Sequence, residues 1–202
     1  MKQLNQYIIE KLKINKDSNK YHYHPKDKDE LRSLIEKLLK ERGNEADLND
    51  IDVSNVIDMS ELFYGLDPHN IDISEWDVSN VKNMELMFSN CINFNSDLSK
   101  WNVSNVTNME FIFNNCINFN SNLSKWDVSN VTNMESMFNK CKNFNSDISN
   151  WDISKVRNMG YIFYNCENFN SDLSKWDVSN VKYMGHMFDG CNSLKIKPSW
   201  YK

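Results

Sequence analysis

Residues 126–149 read WDVSNVTNMESMFNKCKNFNSDIS, and close variants of that string stand directly before and after it. From Ile51 the chain divides without a gap into six units of 25 residues: 51–75, 76–100, 101–125, 126–150, 151–175 and 176–200. Comparing the units separates fixed columns from free ones. Trp76, Trp101, Trp126, Trp151 and Trp176 form one fixed column, and Val53, Val78, Val103, Val128, Ile153 and Val178 form another. Methionine recurs from Met59 to Met184 and phenylalanine from Phe63 to Phe188 at the same interval. A repeat of this length with apolar columns marks a stacked architecture, in which each unit buries its apolar side against its neighbours.

The quoted unit carries two different periods. At about 100° per residue, Val131, Met134, Met137, Phe138 and Cys141 fall within an arc of about 120°, with Thr132, Glu135, Ser136, Asn139 and Lys140 opposite. That spacing predicts a short amphipathic helix over 130–141, with Ser129 or Asn130 as its N-cap. Trp126 and Val128 alternate with Lys125, Asp127 and Ser129, which predicts a short half-buried strand, and Leu123 breaks the alternation with a bend. Strands stack about 4.8 Å apart while helices need about 10 Å of width, so such a stack has to curve. The expected fold class is therefore α/β: a curved β/α solenoid like that of leucine-rich repeats, six units long, with a parallel sheet on the concave side and helices on the convex side.

The unit WDVSNVTNMESMFNKCKNFNSDIS resembles the bacterial surface-protein repeats called BspA-like, of the DUF285 type, and the resemblance runs from residue 51 to about 201. The leucine-rich parallel is partial. Leu98, Trp101 and Val103 fit L-x-x-L-x-L, but Val106 stands where that motif carries its Asn. The resemblance implies an adhesion or host-interaction protein.

Residues 1–50 do not follow the period and are expected to form an N-terminal helical cap on the 51–202 stack, which ends in a short cap over about 193–202. Leu4, Tyr7, Ile8 and Leu12 make one helical stripe; Leu31, Leu34, Ile35, Leu38 and Leu39 make a second, with Asp27 and Glu30 as a capping box and Gly43 as a stop. At the other end Tyr201 falls in the tryptophan column and Pro198 in that of Leu173; the proline and Lys195, Lys197 and Lys202 discourage end-to-end growth.

Composition narrows the function. With 28 acidic and 23 basic residues the formal charge is −5, which gives no general attraction to nucleic acid or anionic lipid. The start MKQLNQYIIEKLKINKD lacks the apolar core of a secretion signal, and no run reaches the roughly 20 apolar residues of a membrane span. The expected location is therefore cytoplasmic, with a surface or phage-associated site open by another route. Cys91, Cys116, Cys141, Cys166 and Cys191 occur once per unit, a core position and not a disulfide framework.

Catalytic patterns are sparse, and no catalytic residue, metal ligand or cofactor is expected. His22 and His24 lack a third ligand nearby, Asp47, Asp50 and Asp52 lack the glycine and distal Glu of a calcium loop, and Ser104 and Ser129 have no evident base. Two surfaces remain for binding. The convex side offers Leu86, Phe111, Tyr161 and Tyr164, and the concave side Lys100, Lys125 and Lys175 beside Asp127 and Asp152. The expected function is non-enzymatic: a monomeric protein–protein interaction module presenting a rigid surface to an unidentified protein, without nucleic acid or membrane insertion. A surface adhesin or glycan-binding protein is the alternative, and a metal-dependent enzyme a weaker one.

Overall fold

The computed structural model describes residues 20–202. The expected stripe of Leu4, Tyr7, Ile8 and Leu12 lies outside them. One helix is present among the described residues, α1 (Lys28–Arg42). The Asp27 carboxylate accepts from the N–H groups of Asp29 and Glu30, and the Gly43 N–H closes the last turn on the Leu39 carbonyl with φ at 85°. The carboxylate of Glu30 reaches back to the N–H of Lys26 at 3.0 Å, one residue before the cap. Leu31, Ile35, Leu38 and Leu39 form the buried stripe.

The β/α solenoid does not form. The repeat units contain no helix and no sheet, only isolated parallel bridges such as Asn108 to Asn133 and Asn133 to Asn158. The reason lies in where the N–H groups go. In a helix each N–H would bind four residues back. Here alternate groups bind the next unit: the N–H groups of Met134, Ser136, Phe138 and Lys140 donate to the carbonyls of Asn158, Gly160, Ile162 and Tyr164 at 2.8, 2.9, 3.0 and 2.7 Å. The groups between them close local turns, Met137 on Met134, Asn139 on Ser136 and Cys141 on Phe138. Ser136 and Lys140 have φ of 52° and 61°, the left-handed value that a type II turn requires at its third residue. Apolar residues spaced by three and four serve a chain of turns as well as a helix.

The predicted strand dissolves for a similar reason. Trp126 N–H binds the Leu123 carbonyl and Val131 N–H the Val128 carbonyl, so residues 123–131 are two successive turns. The Asp127 carboxylate holds the Ser129 N–H at 3.0 Å, an Asx turn that competes with any ladder. Without strand and helix layers there is no width mismatch, and the ground for curvature falls away with them.

Each unit is instead a coil lying on the next. Across the five junctions the Met N–H of one coil donates to the next at 2.8–3.0 Å, from Met59 to Asn83 through Met159 to Tyr183. Stacked side chains repeat the same step. Phe88, Phe113, Phe138 and Phe163 stand 5.7–5.9 Å apart in near-parallel stacks, and Phe94, Phe119, Phe144 and Phe169 form a second ladder at 5.9–6.1 Å. Tryptophan bridges the coils: the Trp126 indole N–H donates to the Leu98 carbonyl at 3.0 Å, and Trp101 and Trp151 do the same to Ile73 and Leu123. Asparagine completes the set, since Asn120 and Asn145 N–H donate to the Asn95 and Asn120 side-chain carbonyls, each at 2.8 Å.

The coil geometry begins before Ile51: Leu48 N–H binds Asp72, and the Trp76 indole binds the Leu48 carbonyl at 2.9 Å. Helix α1 covers this leading side. Its Arg32 guanidinium donates to the carbonyls of Glu61, Leu62 and Tyr64 at 2.6, 3.0 and 3.0 Å. The equivalents of Leu62 in later coils, and those of Tyr64 from Asn114 onward, accept from the preceding coil, so Arg32 stands in for a missing one. At the far end Trp200, one residue ahead of the expected Tyr201, takes the tryptophan position. Its indole donates to Leu173 at 2.9 Å and stacks on Trp176 at 6.5 Å. Tyr201 N–H still follows the register by binding the Pro198 carbonyl.

Candidate functional site

The chain of turns gives residues 86, 111, 136, 161 and 186 the same backbone conformation, with φ between 52° and 58°; Ser136 is buried, and the other four reach the outer surface. Leu86, Phe111 and Tyr164 are half-buried, and Tyr161 is exposed. Of the four residues expected on a convex helical face, the structure brings Tyr161 and Tyr164 together, with ring centres 5.8 Å apart and edge to face. His186 stacks on Tyr161 at 4.9 Å and pairs with Asp189 at 2.8 Å. Leu86 and Phe111 lie further along the same column, in the second and third coils.

Lys100, Lys125, Lys175, Asp127 and Asp152 are all exposed, on the surface beside the tryptophan column. Lys100 is paired with Glu75 at 2.9 Å. Asp127 and Asp152 are committed to their turns: each holds a serine N–H two residues on, Ser129 and Ser154 at 3.0 Å, and these bonds keep both carboxyls below the usual range. They are structural before they are available to a ligand.

His22 binds Asp50 and His24 binds Asp52, both at 3.2 Å. Asp50 also accepts two hydrogen bonds from Arg42 at 2.9 Å, which hold its carboxyl low. No group of three His, Cys, Asp or Glu side chains suited to a metal occurs among the described residues. The Ser104 hydroxyl donates to Asn102 at 2.7 Å, a turn contact. The five thiols are free and buried, each donating to a phenylalanine carbonyl one coil back, Cys141 to Phe113 at 2.9 Å. Burial pushes the Cys91 thiol up to about 12 and that of Cys191 to about 11.

Two features of the outer surface were not anticipated from the sequence. Glu85, Glu110 and Glu135 stack in one column, each receiving an amide N–H from the next coil: Asn108 at 3.2 Å, Asn133 at 2.6 Å and Asn158 at 2.6 Å. Burial, followed by repulsion from Glu135 and Glu85, raises the Glu110 carboxyl above its ordinary value. Beyond Glu135 the column continues as Gly160 and Gly185, and a groove of about 570 Å³ opens there beside Tyr161, Tyr183 and His186. The signal was legible as a break in the glutamate column of the aligned units.

A fold built of repeated 25-residue coils defines a repeat protein. The family described as "Mycoplasma protein of unknown function, DUF285" matches residues 32–131 and 98–201, two overlapping stretches that take in most of the chain. The chain belongs to that family. No curated protein and no solved structure matches it. No helix among the described residues is long and apolar enough to cross a membrane.

Proposed function

We propose that this protein is a non-enzymatic interaction module whose stacked coils present a rigid outer surface to another protein. The observation that carries the reading is the group formed by Tyr161, Tyr164 and His186, packed ring on ring at 5.8 and 4.9 Å on an outer face. Aromatic side chains with few rotatable bonds, preorganised on a stiff support, supply contact area at low entropic cost and dominate protein interfaces. Hydrogen bonds between coils immobilise the backbone beneath them, from Tyr161 N–H to Gly185 and from Phe163 N–H to Met187. The resemblance to BspA-like surface repeats supports the same class of role.

The test is affinity capture from lysate and envelope fractions, with wild-type protein beside a Phe111→Ala, Tyr161→Ala, Tyr164→Ala variant of unchanged melting midpoint. A protein retained by the wild type and lost by the variant is the expected result. Equal retention by both refutes this face, and the absence of any protein partner in either fraction refutes the protein-partner reading in favour of glycan recognition.

A further inference from the structure

In the glutamate column, Gly160 and Gly185 replace side chains that the second, third and fourth coils carry. Neither glycine is demanded by the backbone, since neither has a positive φ. Crowding does not demand them either: a Cβ on Gly160 would meet the Asn158 side-chain oxygen at 3.6 Å and the Gly185 carbonyl at 3.9 Å, which is ordinary contact, and one on Gly185 would meet nothing within 4 Å. What the two glycines do is leave space. The resulting groove of about 570 Å³ is lined by Tyr183, by Tyr161 stacked on His186, and by Glu135. Tyr183 is 66 % exposed, an unusual level for a large ring.

Glu135 accepts one hydrogen bond from Asn158 at 2.6 Å, which orients its carboxylate. Neither it nor Glu110 nor Glu85 joins an ion pair among the described residues. We propose that this groove receives an arginine side chain of a partner protein, its guanidinium stacked against the tyrosine rings and bonded to the Glu135 carboxylate. This inference rests on the interaction-module reading above and names the chemistry of the partner.

A guanidinium fits better than an ammonium for two reasons. It is planar and weakly hydrated, so it stacks on aromatic faces, and its forked N–H groups match a carboxylate edge. Lys182 also lines the groove, exposed and two coils from Glu135. Its charge disfavours a second cation in the groove beside the arginine.

The experiment is titration of the isotope-labelled full chain with acetyl-Gly-Arg-Gly-amide, followed by amide chemical shifts, with the citrulline peptide as its neutral counterpart. Saturable shifts centred on Gly160, Gly185 and Tyr183 are expected with the arginine peptide. The citrulline peptide and the Glu135→Gln variant should each bind about tenfold more weakly, the size of one lost charged hydrogen bond. Gly160→Leu, which occupies the groove, should abolish the shifts while leaving the melting midpoint in place. Equal binding of both peptides, shifts scattered over Asp127, Asp152 and Asp177, or no shift at millimolar peptide overturns the inference. Capture that depends on Tyr161 and Tyr164 without arginine binding refutes the groove alone; arginine binding without such capture refutes the aromatic-face reading alone.

Discussion

Replacing Lys140 by glycine separates a chain of turns from a helix by the sign of the effect. Lys140 has φ of 61°, and its N–H is already bound to the Tyr164 carbonyl at 2.7 Å. Its side chain is exposed and makes no ion pair among the described residues. A non-glycine residue in the left-handed region costs about 1–2 kcal/mol, and glycine removes that cost. Glycine also loses more chain entropy on folding, about 0.5–1 kcal/mol. The net expectation is a stabilisation of about 0.5–1 kcal/mol, or a rise of about 1–4 °C in the melting midpoint for a chain of this size. In a helix the same change would destabilise by about 0.5–1 kcal/mol. Thermal and urea unfolding followed by tryptophan fluorescence decide between them, and a lowered midpoint refutes the turn geometry. The sixth coil provides the control: Gly190 holds the same place with φ of 77°, and a Cβ there would collide with Asn165, so Gly190→Ala should lower the midpoint where Lys140→Gly raises it.

Trp126→Ala should cost about 3–5 kcal/mol through the lost ring, with about 1 kcal/mol more for the hydrogen bond to Leu98; Trp126→Phe should cost a minor part of that, and equal losses in urea melts would contradict the packing. The thiols should resist aromatic disulfide reagents at neutral pH in the native state, with Cys191, 9 % exposed and least shifted, reacting first; rapid labelling of Cys141 would contradict its burial. Aspartates such as Asp127 and Asp152, whose carboxyls are held low, contribute stability that is present above about pH 4 and lost as pH falls through their folded values. Glu110 has the opposite sign: its raised carboxyl destabilises when ionised, so Glu110→Gln should stabilise at neutral pH. That advantage should shrink as acid protonates the wild-type group, and an advantage that grows on acidification in pH-dependent melts would refute the assignment.

The register and the core could be read from the sequence because they depend on which columns are apolar, and Trp126, Val128, Met134, Phe138 and Cys141 are buried as their columns require. Local conformation could not, because Val131, Met134, Met137, Phe138 and Cys141 satisfy a helical arc and a succession of turns equally well. The choice depends on whether an N–H finds a carbonyl four residues back or one coil ahead, which becomes visible only when the coils are stacked. A discriminating clue was present in Gly65, Asn90, Asn115, Asn165 and Gly190, a column of residues that tolerate positive φ. At the candidate site, Tyr161 and Tyr164 could be paired by spacing alone. Tyr183 and the groove left a single trace, the break in the glutamate column at Gly160 and Gly185, and the space it opens shows only once the coils are stacked.

The uniform junctions between coils bear on how such a gene can change. The junctions among the second to fifth coils use the same donors, acceptors and ring stacks, so recombination that removes or adds one whole unit there would join surfaces already matched to each other, whereas a slip by a single codon would set every phenylalanine against the wrong carbonyl. The free columns have no such tie to the junctions. Gain or loss of a unit between the fourth coil and α1 would carry the glycine gap and its aromatic rim nearer to or further from the helix while leaving the stacking intact, so that the distance between the two could vary by copy number within one lineage.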